Sequence, residues 1–173
     1  MIKSTNGGGG RGIKIVKNQN ELKKNLNLAK TEAEQSFGNG DVYIEKYIDN
    51  PRHIEIQIIG DKFGNVVHLG ERECSIQRRN QKIIEECPSP AISENERKNI
   101  CKLTLNAMKK IKYFNLGTVE YLYSKGKFYF IEMNTRIQVE HTVTEQVYNI
   151  DIVKEQIQIS SGGKISLKQE NLK

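Results

Sequence analysis

Apolar and polar residues alternate along this chain in two rhythms, a period of two and a period of about 3.6. Four consecutive glycines, Arg11 and Gly12 precede "IKIVK" at 13–17, which alternates as a strand does. "NELKKNLNLAKTEAEQSF" instead puts Leu22, Leu26, Ala29 and Ala33 on one helical face, with Asn20 as N-cap and Gly38-Asn39-Gly40 as the stop. "DVYIEKYI" returns to strand alternation before Asn50-Pro51, a turn pair. In "HIEIQIIGDKFGNVVHLGE", Ile54, Ile56 and Ile58 share a face and Gly60 to Asn65 turn the chain, which predicts a hairpin.

"RECSIQRRNQKIIEECPSP" has no clean period and ends in prolines, so mostly loop is expected there. Ser93, with Glu96 three residues on, forms a capping box that opens a helix through about Lys110. "GTVEYLYSKGKFYFIEMN" predicts a second hairpin turning at Ser124-Lys125-Gly126, and a last helical region runs from about Thr144 to Ser161. Strand pairs and helices mix without βαβ alternation, which points to an α+β fold of antiparallel sheets with packed helices. There is no internal repeat and no low-complexity linker.

The 173 residues suffice for one sizeable domain or parts of two, and 36% hydrophobic with 28% charged residues fits a globular chain. The net charge of +6 is spread over scattered lysines with interleaved acids, without a basic block interleaved with aromatics. That argues against nucleic acid and leaves a phosphate-bearing ligand as the simpler reason for the charge. No apolar run approaches the roughly 18 residues of a membrane span, and no basic-then-apolar leader starts the chain. Cys74, Cys87 and Cys101 are odd in number and lack CxxC spacing, so reduced thiols in a cytosol-like compartment are expected.

Gly7-x-Gly9-x-x-Gly12 formally matches a dinucleotide fingerprint, but that fingerprint must open a helix, and here alternation follows. A P-loop would need Lys-Ser or Lys-Thr after Gly12, which is absent. A strand–glycine loop–strand hairpin remains, whose backbone N–H groups can wrap phosphate oxygens between Lys3 and Arg11. The plainer alternative is a flexible tail.

The most informative stretch is "FYFIEMNTRIQVEH" at 128–141. Glu132 and Asn134, two apart in a strand, point to one face and offer hard oxygen ligands suited to magnesium. Glu120 on the partner strand could complete the set, and Arg136, Gln138 and Glu140 continue the spacing. The alternative is an amphipathic edge strand with a solvated polar face.

Together "KSTNGGGGRG", "EKYIDNPRHIEIQ", "ERECSIQRRNQK" and "FIEMNTRIQVEHTVTE" closely resemble the biotin carboxylase family, which has the ATP-grasp fold. The resemblance implies a partial ATP-grasp fold with a glycine-rich phosphate hairpin, residues 1–47 belonging to the lid subdomain and 48–173 to the first part of the catalytic domain. It implies ATP contacts by Lys3, Gly8, Gly9, Gly10, Glu45, Lys46, His53, Gln77, Asn80, Glu120 and Glu132. Many family members carry His where Asn80 stands. By the same resemblance Glu120, Glu132 and Asn134 hold magnesium or manganese; Lys82, Arg136, Gln138 and the backbone of Val139 cradle bicarbonate; and Glu140 is the general base, with Arg136 and Lys82 also catalytic. Arg78 and Arg79 are left as structural or surface charges, and His68, His141 and the cysteines are assigned to structure.

The implied reaction is ATP- and bicarbonate-dependent carboxylation of biotin on a carrier protein through carboxyphosphate, the first half-reaction of an acyl-CoA carboxylase. Implied partners are the biotin carboxyl carrier protein, carboxyltransferase subunits and a second copy in a homodimer, in bacterial cytoplasm or plastid stroma. Family members are much longer, so the chain is expected to be a fragment with little or no activity alone. Three alternatives stand beside this reading. One is the biotin carboxylase region of a multidomain pyruvate or propionyl-CoA carboxylase, or a carbamoyl-phosphate synthetase-like ligase. The others are a non-catalytic nucleotide-binding module and a basic nucleic-acid binder.

Overall fold

A computed structural model describes residues 1–7 and 11–172. The expected phosphate contacts Gly8, Gly9 and Gly10 lie outside the described residues. The chain divides into two compact units, Met1–Asp49 with Gln77–Gln81, and Asn50–Ile76 with Lys82–Lys173.

In the first unit β1 (Ile2–Ser4) lies between β2 (Ile13–Lys14) and β3 (Val42–Ile44), both antiparallel to it. The strands on either side of the glycines therefore do pair, Ile2 opposite Lys14. β2 and β3 are shorter than their alternation because β1 offers them only three residues to bond. Helix α1 (Gln19–Phe37) buries Ala29 and Ala33, and Ile2 is fully buried in the same unit. Its N-cap is Asn18 rather than Asn20. Asn18 accepts from the Glu21 backbone N–H and donates to the Glu21 carboxylate, a reciprocal pair that Asn20 is too close to make. Gly38, at φ 68°, ends the helix in the left-handed conformation.

The second unit is built on a five-stranded sheet of β4 (Arg52–Gly60), β5 (Val66–Arg78), β6 (Gln81–Glu86), β7 (Asn115–Ser124) and β8 (Lys127–Asn134), in the order β6-β5-β4-β7-β8, residues 77–81 at the β5–β6 tip counting with the first unit. The stretch expected to be mostly loop is the end of β5 and all of β6. A two-residue turn joins them, with Arg79 and Asn80 both at positive φ. β6 is mostly exposed at the sheet edge, so it has no apolar alternation to show.

Helix α2 (Glu94–Lys110) starts at the expected capping box, Ser93 and Glu96 exchanging bonds. It packs Ile100, Cys101 and Met108 on Ile56, Ile58, Val119 and Tyr121 of one sheet face. On the opposite face Ile59, Val67, Leu69 and Leu116 are covered by Ile152 and Ile159. Each such buried side chain contributes about 2 kcal/mol. The last helical region is two helices, not one: α3 (His141–Tyr148) and α4 (Ile152–Ser160). Asn149 takes the left-handed conformation at φ 51° and stops α3; the Asp151 side chain then caps α4.

Gly60 closes β4 where a Cβ would stand 2.3 Å from the Tyr113 carbonyl oxygen, a backbone atom that cannot swing away. Gly60→Ala is expected to destabilise the chain by about 2–3 kcal/mol, read as a lower urea midpoint.

Candidate active site

The sheet face carrying Ile59 and Leu116 changes character along each strand. β4 continues from Ile59 through Gln57 and Glu55 to His53, and β7 from Leu116 through Thr118 to Glu120. One half of the face is therefore core and the other half polar. Strand register sets Arg72, Glu55, Glu120 and Glu132 side by side across four strands, with Gln57, Thr118 and Asn134 in the next row. All these residues belong to the second unit.

Two carboxylates directly opposite one another repel, and Glu55 and Glu120 are both buried. Cations resolve the conflict. Lys82 Nζ lies 2.5 Å from Glu55, 3.0 Å from Glu120 and 2.5 Å from Glu140. Arg72 Nε lies 2.6 Å from Glu55, and His53 Nε2 lies 2.9 Å from Glu120. Burial alone would push the His53 pKa down, but its bonds to Glu120 and Glu55 outweigh burial and raise it to about 9. Burial opposes ionisation of Glu55 too, yet His53, Arg72 and Lys82 hold its carboxyl far below the usual range. Glu120 is likewise lowered against burial by His53 and Lys82. Lys82 is pushed above the ordinary lysine range because Glu55 and Glu120 outweigh its burial. Glu55, Glu120 and Glu140 thus stand against Arg72, Lys82 and protonated His53.

The segment between β8 and α3 lies over this cluster. Gln138 and Glu140 are buried, while Val139 between them is 89% exposed. Gln138 Nε2 donates to Glu120 at 2.8 Å, and Asn134 Nδ2 donates to the same oxygen at 2.9 Å. Arg136 is exposed and donates to Asn134 Oδ1 at 3.3 Å. Glu132 is also exposed, next to Glu120 in the row. The structure therefore brings His53, Lys82, Glu120, Asn134, Gln138 and Glu140 into one network, with Arg136 attached through Asn134. In the first unit Lys3 and Glu45 pair at 2.6 Å, Lys46 is exposed, Gln77 is half-buried and Asn80 sits at the β5–β6 turn.

Glu55, Arg72, Gln57, Thr118 and Thr144 belong to the network without having been singled out in the sequence. The available signal was a charged residue between isoleucines in a central strand, as in Ile54-Glu55-Ile56. Glu120, Glu132 and Asn134 supply carboxylate and amide oxygens from adjacent positions of one face, a donor set that fits magnesium.

The family described as the carbamoyl-phosphate synthase L chain, ATP binding domain, matches residues 1–168. The chain belongs to this family. Among its relatives, biotin carboxylase 2, chloroplastic, of Populus trichocarpa is 56% identical over 99% of the chain and 33% of its own length. Pyruvate carboxylase of Staphylococcus aureus is 54% identical over 99% of the chain and 15% of its own length. The biotin carboxylase domain dimer of Hydrogenobacter thermophilus 2-oxoglutarate carboxylase, solved with MgADP, ADP and bicarbonate, superposes with a TM-score of 0.93. It is 52% identical, over 98% of this chain and 38% of that one. The fold is that of the ATP-grasp domain in biotin carboxylases. The chain spans about a third of the plant biotin carboxylase and less of the pyruvate carboxylase. Among the described residues no helix is long and apolar enough to cross a membrane.

His53 is raised from 6.5 to about 9, so its stabilising contribution is complete below pH 6.5 and is lost as pH climbs through 9. Lys82 faces it with Glu55 and Glu120 and stays charged across that window. With EDTA present, unfolding free energy should fall by on the order of 2–3 kcal/mol between pH 6.5 and 9. His53→Gln should flatten that slope in urea titrations; an unchanged slope would assign it to other groups.

Proposed function

We propose that this chain forms the nucleotide- and bicarbonate-handling part of a biotin carboxylase. Residues 1–47 would act as part of the lid and 48–173 as the first part of the catalytic domain. One observation carries the reading: Gln138 and Glu140 are held over a row of buried carboxylates, with Glu140 on the Lys82 ammonium. Buried acids that a fold keeps ionised, beside hard-oxygen donors and an exposed arginine, suit an anionic ligand that arrives with its own cations.

Lys82, Arg136, Gln138 and the Val139 backbone would hold bicarbonate, and Glu140 would take its proton. Lys82 bonds Glu140 Oε1, which leaves the second carboxylate oxygen for that transfer. Bicarbonate oxygen then attacks the γ-phosphorus of ATP, giving carboxyphosphate and ADP. Loss of phosphate yields CO2, the phosphate takes the ureido proton of biotin, and that nitrogen bonds to CO2. The residues contribute chiefly by position and by offsetting charge between two anions. Magnesium or manganese, held by Glu120, Glu132 and Asn134, supplies further neutralisation of phosphate charge when bound.

ATP contacts fall to Lys3, the glycine loop, Glu45, Lys46, His53, Gln77 and Asn80. The lid would keep water from carboxyphosphate. Similar identities to free and embedded biotin carboxylases support the carboxylation half-reaction they share, not one acyl acceptor. A biotin carrier, a carboxyltransferase and a second copy would be its partners, in bacterial cytoplasm or plastid stroma.

In the full-length enzyme that carries this chain, Glu140→Gln should lower bicarbonate-dependent ATP hydrolysis by about a hundredfold or more, while nucleotide affinity changes less than about threefold. Phosphate release with and without bicarbonate, beside nucleotide titration, checks both arms. Turnover equal to that of the unaltered protein would remove Glu140 from the base role.

A further inference from the structure

Arg72 is fully buried in β5, and all of its hydrogen-bonding capacity is spent. Nε donates to Glu55 at 2.6 Å, and one terminal nitrogen donates to Gln57 at 2.8 Å and to Thr144 at 2.9 Å. The other donates to Thr118 and to Gln138 Oε1, each at 3.4 Å. A guanidinium has five N–H groups, and each has an acceptor here. One ion pair with Glu55 would satisfy the charge. The remaining bonds go to neutral acceptors, and two of these, Gln138 and Thr144, lie beyond the sheet in the segment that covers it.

We propose that Arg72 is the positioning residue of the anion-facing segment: it hangs Gln138–Thr144 from the sheet and fixes which way the Gln138 amide points. The inference rests on the reading of Gln138 and Glu140 as the bicarbonate-handling groups. The physical reason lies in donor and acceptor counts. A glutamine side chain can rotate to exchange its oxygen and nitrogen, and the wrong orientation would present a carbonyl oxygen to an anion. A guanidinium can only donate, so beside Arg72 the amide oxygen is required. The NH2 group must then face Glu120, where it makes its 2.8 Å bond, with its second N–H left to orient an anion. Thr144, in the second turn of α3, holds the helix to the same guanidinium and so helps set where Glu140, at its N-terminus, meets Lys82.

The test compares Arg72→Lys and Thr144→Val with the unaltered protein. Lysine keeps the charge but has three donors and no planar fork, so acceptors are left unmet. By NMR, the Gln138 side-chain amide protons, identified by their loss in Gln138→Ala, should exchange with solvent about tenfold faster in Arg72→Lys. In Thr144→Val they should exchange about threefold faster, with backbone amides of Ile56 and Val119 unchanged in both. In turnover by the full-length enzyme that carries this chain, Arg72→Lys should raise the bicarbonate KM about tenfold and the ATP KM less than twofold. In a Gln138→Ala background that bicarbonate effect should vanish, because the arginine acts through the amide.

If Arg72→Lys fails to fold, Thr144→Val carries the exchange arm. Unchanged Gln138 exchange, core amides accelerating in step, or additivity with Gln138→Ala overturns the proposal. Absence of bicarbonate-dependent turnover in the unaltered full-length enzyme that carries this chain would instead sink the assigned reaction, and amide exchange would still decide Arg72.

Discussion

Two buried carboxylates on neighbouring strands, Glu55 and Glu120, are the constraint around which the larger unit is arranged. Left alone they would repel and favour protonation. The chain answers from four directions: Arg72 on β5, Lys82 on β6, His53 on β4 and Gln138 before α3. Ion pairs thereby tie β4 to β5, β6 and β7, in addition to the backbone bonds of the sheet. Removing one member leaves an uncompensated buried charge, which costs far more than the pair contributes net. Such a network favours one arrangement of strands and cover rather than overall stability.

The same constraint explains why one sheet face is divided. Its apolar half is sealed by Ile152 and Ile159 of α4. The polar half could not take such a cover without stripping solvent from unpaired acids. It is covered instead by a short irregular segment whose own amide and carboxylate join the network. The break between α3 and α4 at Asn149 lets one helix serve the core while the other serves the site. A single continuous helix over 144–161 could not bend to do both.

Both large hairpins were legible because one-face alternation and turn residues such as Lys125-Gly126 act locally. The capping box at Ser93 was legible for the same reason. β5–β6 was not, since its distal part is exposed on the sheet edge and obeys no burial period. Of the site, Glu120, Asn134, Gln138 and Glu140 were visible because a strand and its exit bring them close in sequence. Arg72 was invisible because its partners lie from 15 to 72 positions away and meet only when the sheet forms. Asn18 shows a finer limit: two asparagines compete for one cap, and the reach to Glu21 decides.

A cluster this well partnered cannot gain a ligand simply by adding bonds. All three N–H groups of the Lys82 ammonium are spent on Glu55, Glu120 and Glu140, so an anion binding to Lys82 must exchange partners there, and affinity is the difference between two satisfied states. On the proposed reading, with the acids balanced by Arg72, Lys82 and His53, a phosphate chain would bring excess negative charge to a low-dielectric surface. It is tolerated only if positive charge comes with it or turns toward it. Arg136 and Glu132, the exposed members of the site, stand where such exchange costs least desolvation. On the proposed reading, fully buried Glu55 and Arg72 fix geometry, while Lys82, Gln138 and Glu140 meet the ligand together with exposed Arg136 and Glu132. That gradation follows from the burial of Glu55 with Arg72, whose bonds hold Lys82 and Gln138 in place.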